Sequence, residues 1–428
     1  LRSLVGSEMC IRDRYNSQYP GSLPSDYYFD IPLPPEPFLK MKNLNLRLTG
    51  YAPGTSQSFI VEGLNGYSTP TTSNSINAQN MLAQVELGTL VLDSVNIVQD
   101  LTTTIDIALM YRLHNVVIRN SKFINRSFWQ NPSASNKSGC FGLTLGSDDN
   151  VVVEDFMAIS WCAGINIYSD NPNGNYIFRN IFVMSVANNN GVNAGPIAFY
   201  PTGPSPYTNF EFENVEVVAV GDASGPPQGG GNAMLNIEVF PPGNVIVRNF
   251  VGSQIYSQYP LPLVSIAANS GALANYIIEN VKSFSRFFWT GGGQQVQTQT
   301  VPTVLSLQIS GSSTRARLRA SNLETLLMDN TVVYPALVFG FNAIGPYNNP
   351  GEFEVDIDNV SVEFYTSSSS SPPSPYLIQL QQQGGSSPVG MYITPSSYIK
   401  IRAGRTYKLR AGLLSNIFTN ASSLTVNL

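Results

Sequence analysis

Apolar and polar residues alternate in a six-residue phrase that recurs along the chain. Clear copies are NVVIRN at 115–120, NVVVED at 150–155, NYIFRN at 175–180, NFEFEN at 209–214, NVIVRN at 244–249 and NYIIEN at 275–280. Weaker copies are TLVLDS at 89–94, RARLRA at 315–320 and EVDIDN at 354–359. Alternation with a period of two predicts a β-strand with one buried face, so the apolar second and fourth residues should point inward.

Shorter alternating runs flank most copies of the phrase. Ile165 to Ile167 is an example before a copy, and Ile181 to Met184 is an example after one. No helical periodicity separates these runs. The repeat length is roughly 25–40 residues, and a repeat of three strands predicts one coil of an all-β parallel solenoid. We expect about 9–11 coils with three strands in each.

The sixth position of the phrase is Asn in most copies. Asn tolerates the left-handed backbone conformation that a sharp corner requires, and stacked amides can donate to one neighbour and accept from the other. The sequence therefore predicts a ladder of amides along one corner of the solenoid. Its predicted members are Asn120, Asn180, Asn214, Asn249, Asn280 and Asn359, with Asp155 in the same position of one copy.

The fifth position carries a charge whose sign alternates from copy to copy. Like charges in direct register destabilise a sheet, so alternation predicts an outward-facing ladder of ion pairs. The predicted column is Arg47, Asp93, Arg119, Glu154, Arg179, Glu213, Arg248, Glu279, Arg319, Asp358 and Arg402. At one junction, Arg315 and Arg317 should also face Glu354 and Asp356.

Two consequences follow from this charge column. Glu213→Arg would create three successive Arg residues, so it should lower the melting temperature more than Glu211→Arg. Because the predicted column begins and ends with Arg, in-register stacking of solenoids end to end would place Arg on Arg. We therefore expect any assembly to use lateral or tail-mediated contacts.

With its Asn-rich corners, the chain resembles the right-handed parallel β-helix superfamily of pectate lyases, polygalacturonases and phage tailspikes. The resemblance covers about residues 89–402 and rests on the repeated phrase and its sixth-position Asn. It implies a right-handed single-stranded parallel β-helix. Fold likeness by itself does not imply an activity.

The repeat also divides the chain into regions. LVGSEMCIRDR, at 4–14, resembles a translated transposon-type sequencing adapter, so residues 1–14 are predicted to be an artefact of an assembled gene whose true start is missing. A secretion signal could have been lost with it. We predict an N-terminal cap at 15–85, the β-helix at 86–365, a Ser/Pro loop at 366–375, and last coils with a C-terminal cap at 376–428.

Composition narrows the function classes. Only 12% of the 428 residues are charged, the formal net charge is −5, and the chain has 41 Asn, seven Lys and one His. Such a chain offers no basic field for a nucleic-acid backbone. No apolar run approaches the ~18 residues of a membrane helix. With His114 as the sole His, an HExxH metal site is excluded, and we expect His114 to be a hydrogen-bonded corner residue.

If the protein is an enzyme, its candidate catalytic residues are Asp148, Asp149 and Asp170. The dipeptide SD at 147–148 recurs at 169–170 and should stack one coil apart. Close carboxylates can act as acid and base on a glycosidic bond or hold Ca²⁺, the one cofactor that the sequence leaves open. The alternative, which the residue types favour, is that Asp-Asp-Asn at 148–150 and Asp-Asn-Pro-Asn-Gly at 170–174 simply form turns at coil corners. SDDN resembles the paired-Asp motif of polygalacturonases, but the Gly-His-Gly and Arg-Ile-Lys motifs that accompany it are absent.

Two cysteines share the same context. Cys140 begins CFGLTLGSD and Cys162 begins CAGINIYSD, 22 residues later. If 22 residues complete one coil, the cysteines stack at about 4.8 Å, which a disulfide tolerates. The sequence leaves a Cys140–Cys162 disulfide and two buried thiols as alternatives.

Two functions from different classes remain. The first is an extracellular structural β-solenoid, serving as a cell-surface, filament or virion component that associates with itself or with other surface proteins. The absence of a complete catalytic set and the concentration of charge in a stabilising ladder favour it. The alternative is a secreted polysaccharide lyase or glycoside hydrolase with a groove on the β-helix, which the fold resemblance and the Asp148, Asp149 and Asp170 cluster favour.

Overall fold

A computed structural model describes the strands and corners of the repeat. The described residues are 38–48, 59–62, 88–99, 107–111, 113–126, 142–146, 149–160, 163–169, 174–186, 196–201, 208–220, 234–239, 243–257, 263–268, 273–287, 303–310, 315–329, 337–344, 352–366, 378–383, 398–403 and 424–427. The predicted adapter at 1–14 and the Ser/Pro loop at 366–375, apart from residue 366, lie outside them.

Long and short strands alternate along the chain up to residue 403, and one further strand follows. In chain order they are β1 (Phe38–Leu48), β2 (Phe59–Glu62), β3 (Thr89–Gln99), β4 (Ala108–Tyr111), β5 (Asn115–Asn125), β6 (Leu143–Gly146), β7 (Asn150–Ser160), β8 (Ile165–Ser169), β9 (Asn175–Val186), β10 (Ile197–Pro201), β11 (Thr208–Val220), β12 (Leu235–Val239), β13 (Gly243–Ser257), β14 (Val264–Ala268), β15 (Leu273–Phe287), β16 (Thr303–Ser310), β17 (Arg315–Asp329), β18 (Leu337–Ile344), β19 (Glu352–Thr366), β20 (Ile378–Gln383), β21 (Tyr398–Ala403) and β22 (Leu424–Asn427).

The strands form two parallel sheets. The odd-numbered strands and β22 make a 12-stranded sheet, and the even-numbered strands from β2 to β20 make a 10-stranded sheet. Each strand between the ends of a sheet pairs with the strand one coil earlier and the strand one coil later, so the described chain is a right-handed parallel β-helix, as the sequence predicted. The second and third predicted strands of each coil are continuous in the long strand.

Each long strand turns a corner at the sixth position of the phrase. In β5 the burial alternates up to Ile118, two successive residues (Arg119 and Asn120) face outward, and alternation resumes with buried Ser121. A positive φ at the second of the two residues produces this phase change. Among the described residues, the non-glycine residues with positive φ are Asn43, Ser94, Asn120, Asp155, Asn180, Asn214, Asn249, Asn280 and Asn322. We call the part of a long strand before this residue the first arm and the part after it the second arm.

The register corrects two members of the predicted charge column. Arg47 pairs with Val98 in the second arm, and the residue beside Asp93 is Lys42. Arg319 pairs with Ile277, whereas Ser321 lies beside Glu279. Both predicted side chains nevertheless face outward. Arg319 is displaced by two residues within one arm, which preserves the alternation of the strand. Arg47 lies five residues after Lys42, across the corner at Asn43, where two successive residues face outward.

The same shift moves the predicted pairs of the next junction. Arg317 lies beside Glu354, and Arg319 lies beside Asp356. The expected pairing of Arg315 with Glu354 is therefore wrong, since Arg315 lies beside Glu352. Asp358 keeps its predicted place in the column, between Ser321 and Arg402.

Apolar side chains from both sheets fill the interior. The second and fourth positions of the phrase are buried in the central coils, where Phe178 stacks on Phe212 with ring centroids 4.9 Å apart. Tyr176 and Phe210 stack in the same way at 5.2 Å. Small residues allow the sheets to approach: a Cβ on Gly164 would lie 2.2 Å from a methyl group of Val183. Stacking of like side chains on successive coils thus builds one continuous core.

The strands nearest the two ends of the large sheet are different. β1, which lies within the predicted cap segment, pairs with β3 and carries exposed Lys40, Lys42 and Arg47. At the other end, β22 pairs with β21 and places Asn427 beside Arg402. In-register stacking of the described ends would therefore bring Lys42 to Asn427, so the predicted contact of Arg on Arg is wrong. Among the described residues, no helix is long and apolar enough to cross a bilayer.

Candidate functional site

Alternating charges in the fifth-position column form ion pairs between successive coils. Arg119 Nε lies 3.2 Å from Glu154 Oε2, and Arg179 Nη1 lies 3.5 Å from the other oxygen of Glu154. Arg248 Nε and Glu279 Oε2 are 2.9 Å apart. These side chains are 25–53% exposed, and a single exposed pair contributes about 0–1 kcal/mol. Any larger contribution to stability must therefore come from several such pairs acting together along the surface.

Arg179 has the most acidic surroundings in the column. Its Nη2 donates to Glu211 Oε1 at 2.9 Å, and its Nε lies 3.6 Å from Glu213 Oε2. The hydrogen bond to Glu211, with the charges of Glu154 and Glu213, raises the pKa of Arg179. Glu211 lies two residues before Glu213, on the same outward face. The sequence missed this diagonal contact, and it removes the basis for expecting Glu211→Arg to be the milder substitution.

Asp93, the second residue of the column, accepts hydrogen bonds at the corner. Asp93 accepts from Asn120 Nδ2 at 3.3 Å and from Ser94 Oγ at 3.1 Å, and Lys42 Nζ lies 3.5 Å from its carboxylate. These donors lower the pKa of Asp93, with the Asn120 hydrogen bond having the largest effect. Asp93 therefore stabilises the corner more in its ionised form than in its protonated form.

The predicted amide ladder runs along the corner. Each Nδ2 donates to the side-chain oxygen one coil earlier: Asn180 to Asp155 at 3.0 Å, Asn214 to Asn180 at 3.1 Å, Asn249 to Asn214 at 2.9 Å, Asn280 to Asn249 at 3.0 Å and Asn322 to Asn280 at 2.7 Å. Asn322 is a member that the sequence analysis missed, because RARLRA was aligned two residues too early. The backbone register places Asn359 next to Asn322, but its side chain lies outside the described part of the chain.

A second amide ladder, which the sequence analysis also missed, occupies the first position of the phrase. Asn115 donates to Thr89 Oγ1 at 3.1 Å, and five amides continue the series: Asn150 to Asn115 at 3.3 Å, Asn175 to Asn150 at 3.2 Å, Asn209 to Asn175 at 2.8 Å, Asn244 to Asn209 at 2.8 Å and Asn275 to Asn244 at 3.2 Å. The signal was present, since every clear copy of the phrase begins with Asn. Two ladders therefore border the outward face of the first arm.

His114 and Asp149 lie one coil apart at the corner before the first arm. His114 Nδ1 is 2.5 Å from Asp149 Oδ2, and the two side chains are 38% and 26% exposed. Backbone hydrogen bonds fix both residues: Asp149 N donates to Leu113 O, and Asn150 N donates to His114 O. His114 is thus a hydrogen-bonded corner residue, as predicted. The contact brings together His114, predicted as a corner residue, and Asp149, predicted as a candidate catalytic residue.

The other predicted site residues cannot be placed. Asp148, Asp170, Cys140 and Cys162 all lie outside the described residues. The neighbouring strands do pair with the expected 22-residue offset, since Leu143 lies beside Ile165. Within the described part of the chain, no group of three or more His, Cys, Asp or Glu residues could hold a metal ion. The Ca²⁺ site and the disulfide remain predictions.

Buried amides also occur in the short strands. Asn166 and Asn236 are 0% and 2% exposed and lie two coils apart, with Ala198 between them. Ile165 and Ile167 belong to the core, so alternation directs Asn166 away from it. Among the described residues, neither amide atom of Asn166 has a hydrogen-bond partner, nor has Nδ2 of Asn236. The sequence signal was an Asn between two apolar residues in INI and LNI.

A scan against protein-family models, a search of curated proteins and a search of solved structures each found no significant match to this chain.

Proposed function

We propose that the protein is a rigid structural β-solenoid that works outside the cell, as a surface, filament or virion component. One observation carries the proposal: three columns of side chains, on the first arm and at its corner, tie successive coils to one another. Two of them are amide ladders, and the third is the ion-pair column between them and beside the corner. A surface built in this way favours a stiff rod.

The proposal is supported by how regularly the contacts repeat. The amide donors point to the earlier coil in both ladders, over at least five consecutive steps in each. A binding groove for a small ligand needs local departures from such regularity, whereas a load-bearing or spacing element benefits from its uniformity. Self-association or contact with other surface proteins is the interaction that this function requires.

Negative-stain electron microscopy of the purified chain across a concentration series tests the proposal. Ordered filaments, sheets or bundles that increase with protein concentration are the expected result. Isolated short rods at every concentration would contradict the self-assembling form of the proposal. Circular dichroism of the same samples checks that the rods are folded.

One observation favours the second candidate function, a secreted polysaccharide lyase or glycoside hydrolase. The Asp149 carboxylate holds Nδ1 of the partly exposed His114. An imidazole oriented in this way can exchange a proton through Nε2, as general acid–base catalysis requires. Membership of the pectate-lyase-like superfamily, which we propose from the fold and the ladders, agrees with either function.

A screen of acidic polysaccharides distinguishes the two functions. Cleavage would be followed by the release of reducing ends and by the absorbance of unsaturated uronates. If the enzyme proposal is right, His114→Ala and Asp149→Asn should each abolish cleavage, while Asn175→Ala, on the next coil of the same surface, should not. Asp148→Asn and Asp170→Asn test the sequence-derived candidates. No cleavage of any polysaccharide leaves the structural function as the supported one.

A further inference from the structure

The second arm has an outward surface unlike that of the first. One outward column contains Lys122, Met157, Phe182 and Glu216 on successive coils. The other contains Ile124, Ile159, Met184 and Val218 on the same coils. We call these eight residues the lateral face. Burial alternates along each strand, with Phe156, Ala158 and Ser160 of β7 turned inward and Met157 and Ile159 turned outward.

The six apolar side chains of the lateral face are not part of the core. In the described part of the chain, none of them belongs to the core cluster, although their inward neighbours Phe123, Phe156, Val183 and Val217 do. Each retains intermediate exposure to solvent. Val251, which continues the first column after Glu216, is 37% exposed. A continuous apolar surface of this kind on a folded protein marks an interaction site.

The charges that border this surface differ from those of the first arm. Lys122 and Glu216 are both exposed, and among the described residues neither forms an ion pair within the chain. Their neighbours in the column are Asn96 and Met157 for Lys122, and Phe182 and Val251 for Glu216. The first arm, by contrast, pairs its charges from coil to coil. The two lateral charges are therefore available to a partner.

We propose that the lateral face binds a second copy of this chain about a two-fold axis. The order along the column is Lys, Met, Phe, Glu. If a second copy runs in the opposite direction, each Lys faces a Glu and each Met faces a Phe. An axis parallel to the strands, midway between β7 and β9, sets the two rods antiparallel. Lys122 of each copy then faces Glu216 of the other, and Met157 faces Phe182. Such an interface uses the same patch on both copies.

The rest of the large sheet is compatible with this arrangement. In the second column, Ile124 would face Val218, and Ile159 would face Met184. Moving outward in the first column, Asn96 would face Val251 and Asn45 would face Lys282. No like charges meet over the eight described strands from β1 to β15. Since both copies have the same spacing between coils, the contacts stay in register along the rod.

The available area is sufficient for a specific dimer. Eight strands at about 4.8 Å, with an arm of five residues about 17 Å wide, present roughly 650 Å² per copy. The total of about 1,300 Å² falls at the lower end of the range for specific interfaces. We therefore expect a reversible dimer that dissociates on dilution. This inference rests on the proposed structural function and names the partner and surface of its lateral contact.

Sedimentation velocity of the full chain at about 1–100 µM tests the dimer. A single reversal, Lys122→Glu or Glu216→Lys, places like charges together at two points of the interface. We expect each to raise the dimer dissociation constant at least about tenfold. The double variant Lys122→Glu/Glu216→Lys should return to within about threefold of the original chain. Lys40→Glu, an exposed charge on the first arm, should have no effect.

Several outcomes would overturn the proposal. They are a monomer at all concentrations, single reversals that dimerise as the original chain does, or a double variant that does not recover. Phe182→Ala provides a second variant that should weaken the dimer with little change in the melting temperature measured at low protein concentration, where the chain is monomeric. Microscopy separates this proposal from the broader one. Filaments that persist in Lys122→Glu would retain the structural function and reject the lateral face. Dimers without larger assemblies would support the lateral face and contradict the filament-forming function.

Discussion

The two arms of the long strands are neighbours in the same sheet, but their outward surfaces differ in the central coils. The first arm has one apolar outward column, containing Val117, Val152 and Ile177, between two polar ones, whereas the two outward columns of the second arm are both largely apolar. On the first arm, amides and charges occupy two of three outward positions and contact the equivalent side chains of adjacent coils. On the second arm, the central coils expose Met157, Phe182, Ile159 and Met184. Regular stacking is common to both. The difference shows that coil-to-coil stability and intermolecular contact can be assigned to separate faces of one repeat.

The physical basis of this difference lies in how each side chain contacts the equivalent side chain on the next coil. Amides stacked at the coil spacing satisfy both donor and acceptor, so the polar face is complete within one chain. Apolar side chains stacked at the same spacing remove only part of their area from water, and the remainder stays unfavourable until another surface covers it. The amide columns and the charges of the first arm are thus satisfied within one chain, whereas the two apolar columns of the second arm remain partly exposed.

The largest expected contrast lies within β9, between two phenylalanines. Phe178 is buried against Phe212 on the first arm, so Phe178→Ala should lower the free energy of unfolding by about 3–5 kcal/mol. Phe182 faces outward on the second arm, and Phe182→Ala should change the stability of the monomer by about 1 kcal/mol or less. Urea denaturation at low protein concentration measures both. Equal losses would contradict the assignment of Phe182 to an outward face.

A smaller contrast separates the amide ladder at the corner from the amide ladder on the first arm. Asn214 has φ of 56° and both donates and accepts in the corner ladder. Asn214→Ala should cost about 2 kcal/mol, from strain in the left-handed backbone and the lost hydrogen bonds. Asn209, in the other ladder, loses hydrogen bonds only, so Asn209→Ala should cost about 1 kcal/mol.

Asn214→Gly separates the two contributions at the corner. Glycine adopts the left-handed conformation without strain, so this variant should be more stable than Asn214→Ala and similar to Asn209→Ala. Thermal unfolding followed by circular dichroism ranks the three variants. If Gly and Ala at position 214 were equally destabilising, backbone conformation would not be what selects Asn at the corner.

The charge column of the first arm should respond to reversal at two positions rather than one. Glu211 lies closer to Arg179 than Glu213 does, so Glu211→Arg should lower the melting temperature at least as much as Glu213→Arg. Each effect should correspond to about 1 kcal/mol or less. Both should shrink at high salt, where surface charges are screened. A clearly milder effect of Glu211→Arg at low salt would favour the original sequence prediction over the diagonal contact.

The smallest expected effect is a pH dependence at the corner. Because the folded state lowers the pKa of Asp93, its contribution is complete above the unfolded value of about 3.9 and is lost as pH falls through the folded value. Asp93→Asn should therefore be less stable than the original chain at neutral pH, and the difference should close below about pH 4. Melting temperatures from pH 7 to pH 2 measure this. A difference that widens in acid would mean that the pKa of Asp93 is raised on folding.

Local residue patterns were sufficient to predict most of the fold. The phrase repeat gave the parallel β-helix, and its sixth-position Asn gave the corner, because both depend on the conformation of a few adjacent residues. The candidate site was less predictable. His114 and Asp149 are 35 residues apart, and their contact depends on the length of the connection between two coils. The first-position ladder was visible in the sequence, but Asn there has no special backbone role to draw attention to it.

The sequence by itself determined which residues of the clear copies face inward, where their long strands turn, and that charges would alternate along one outward column from Asp93 to Glu279. Those features follow from alternation, from the tolerance of Asn for positive φ, and from repulsion between like charges. Only the tertiary structure decided that Lys42 and Ser321, rather than Arg47 and Arg319, lie in that column. A shift of two residues within an arm, or of five residues across the corner, leaves the side chain on an outward face, so alternation alone cannot choose between registers. The stacked corner residues, such as Asn322 on Asn280, make that choice in three dimensions.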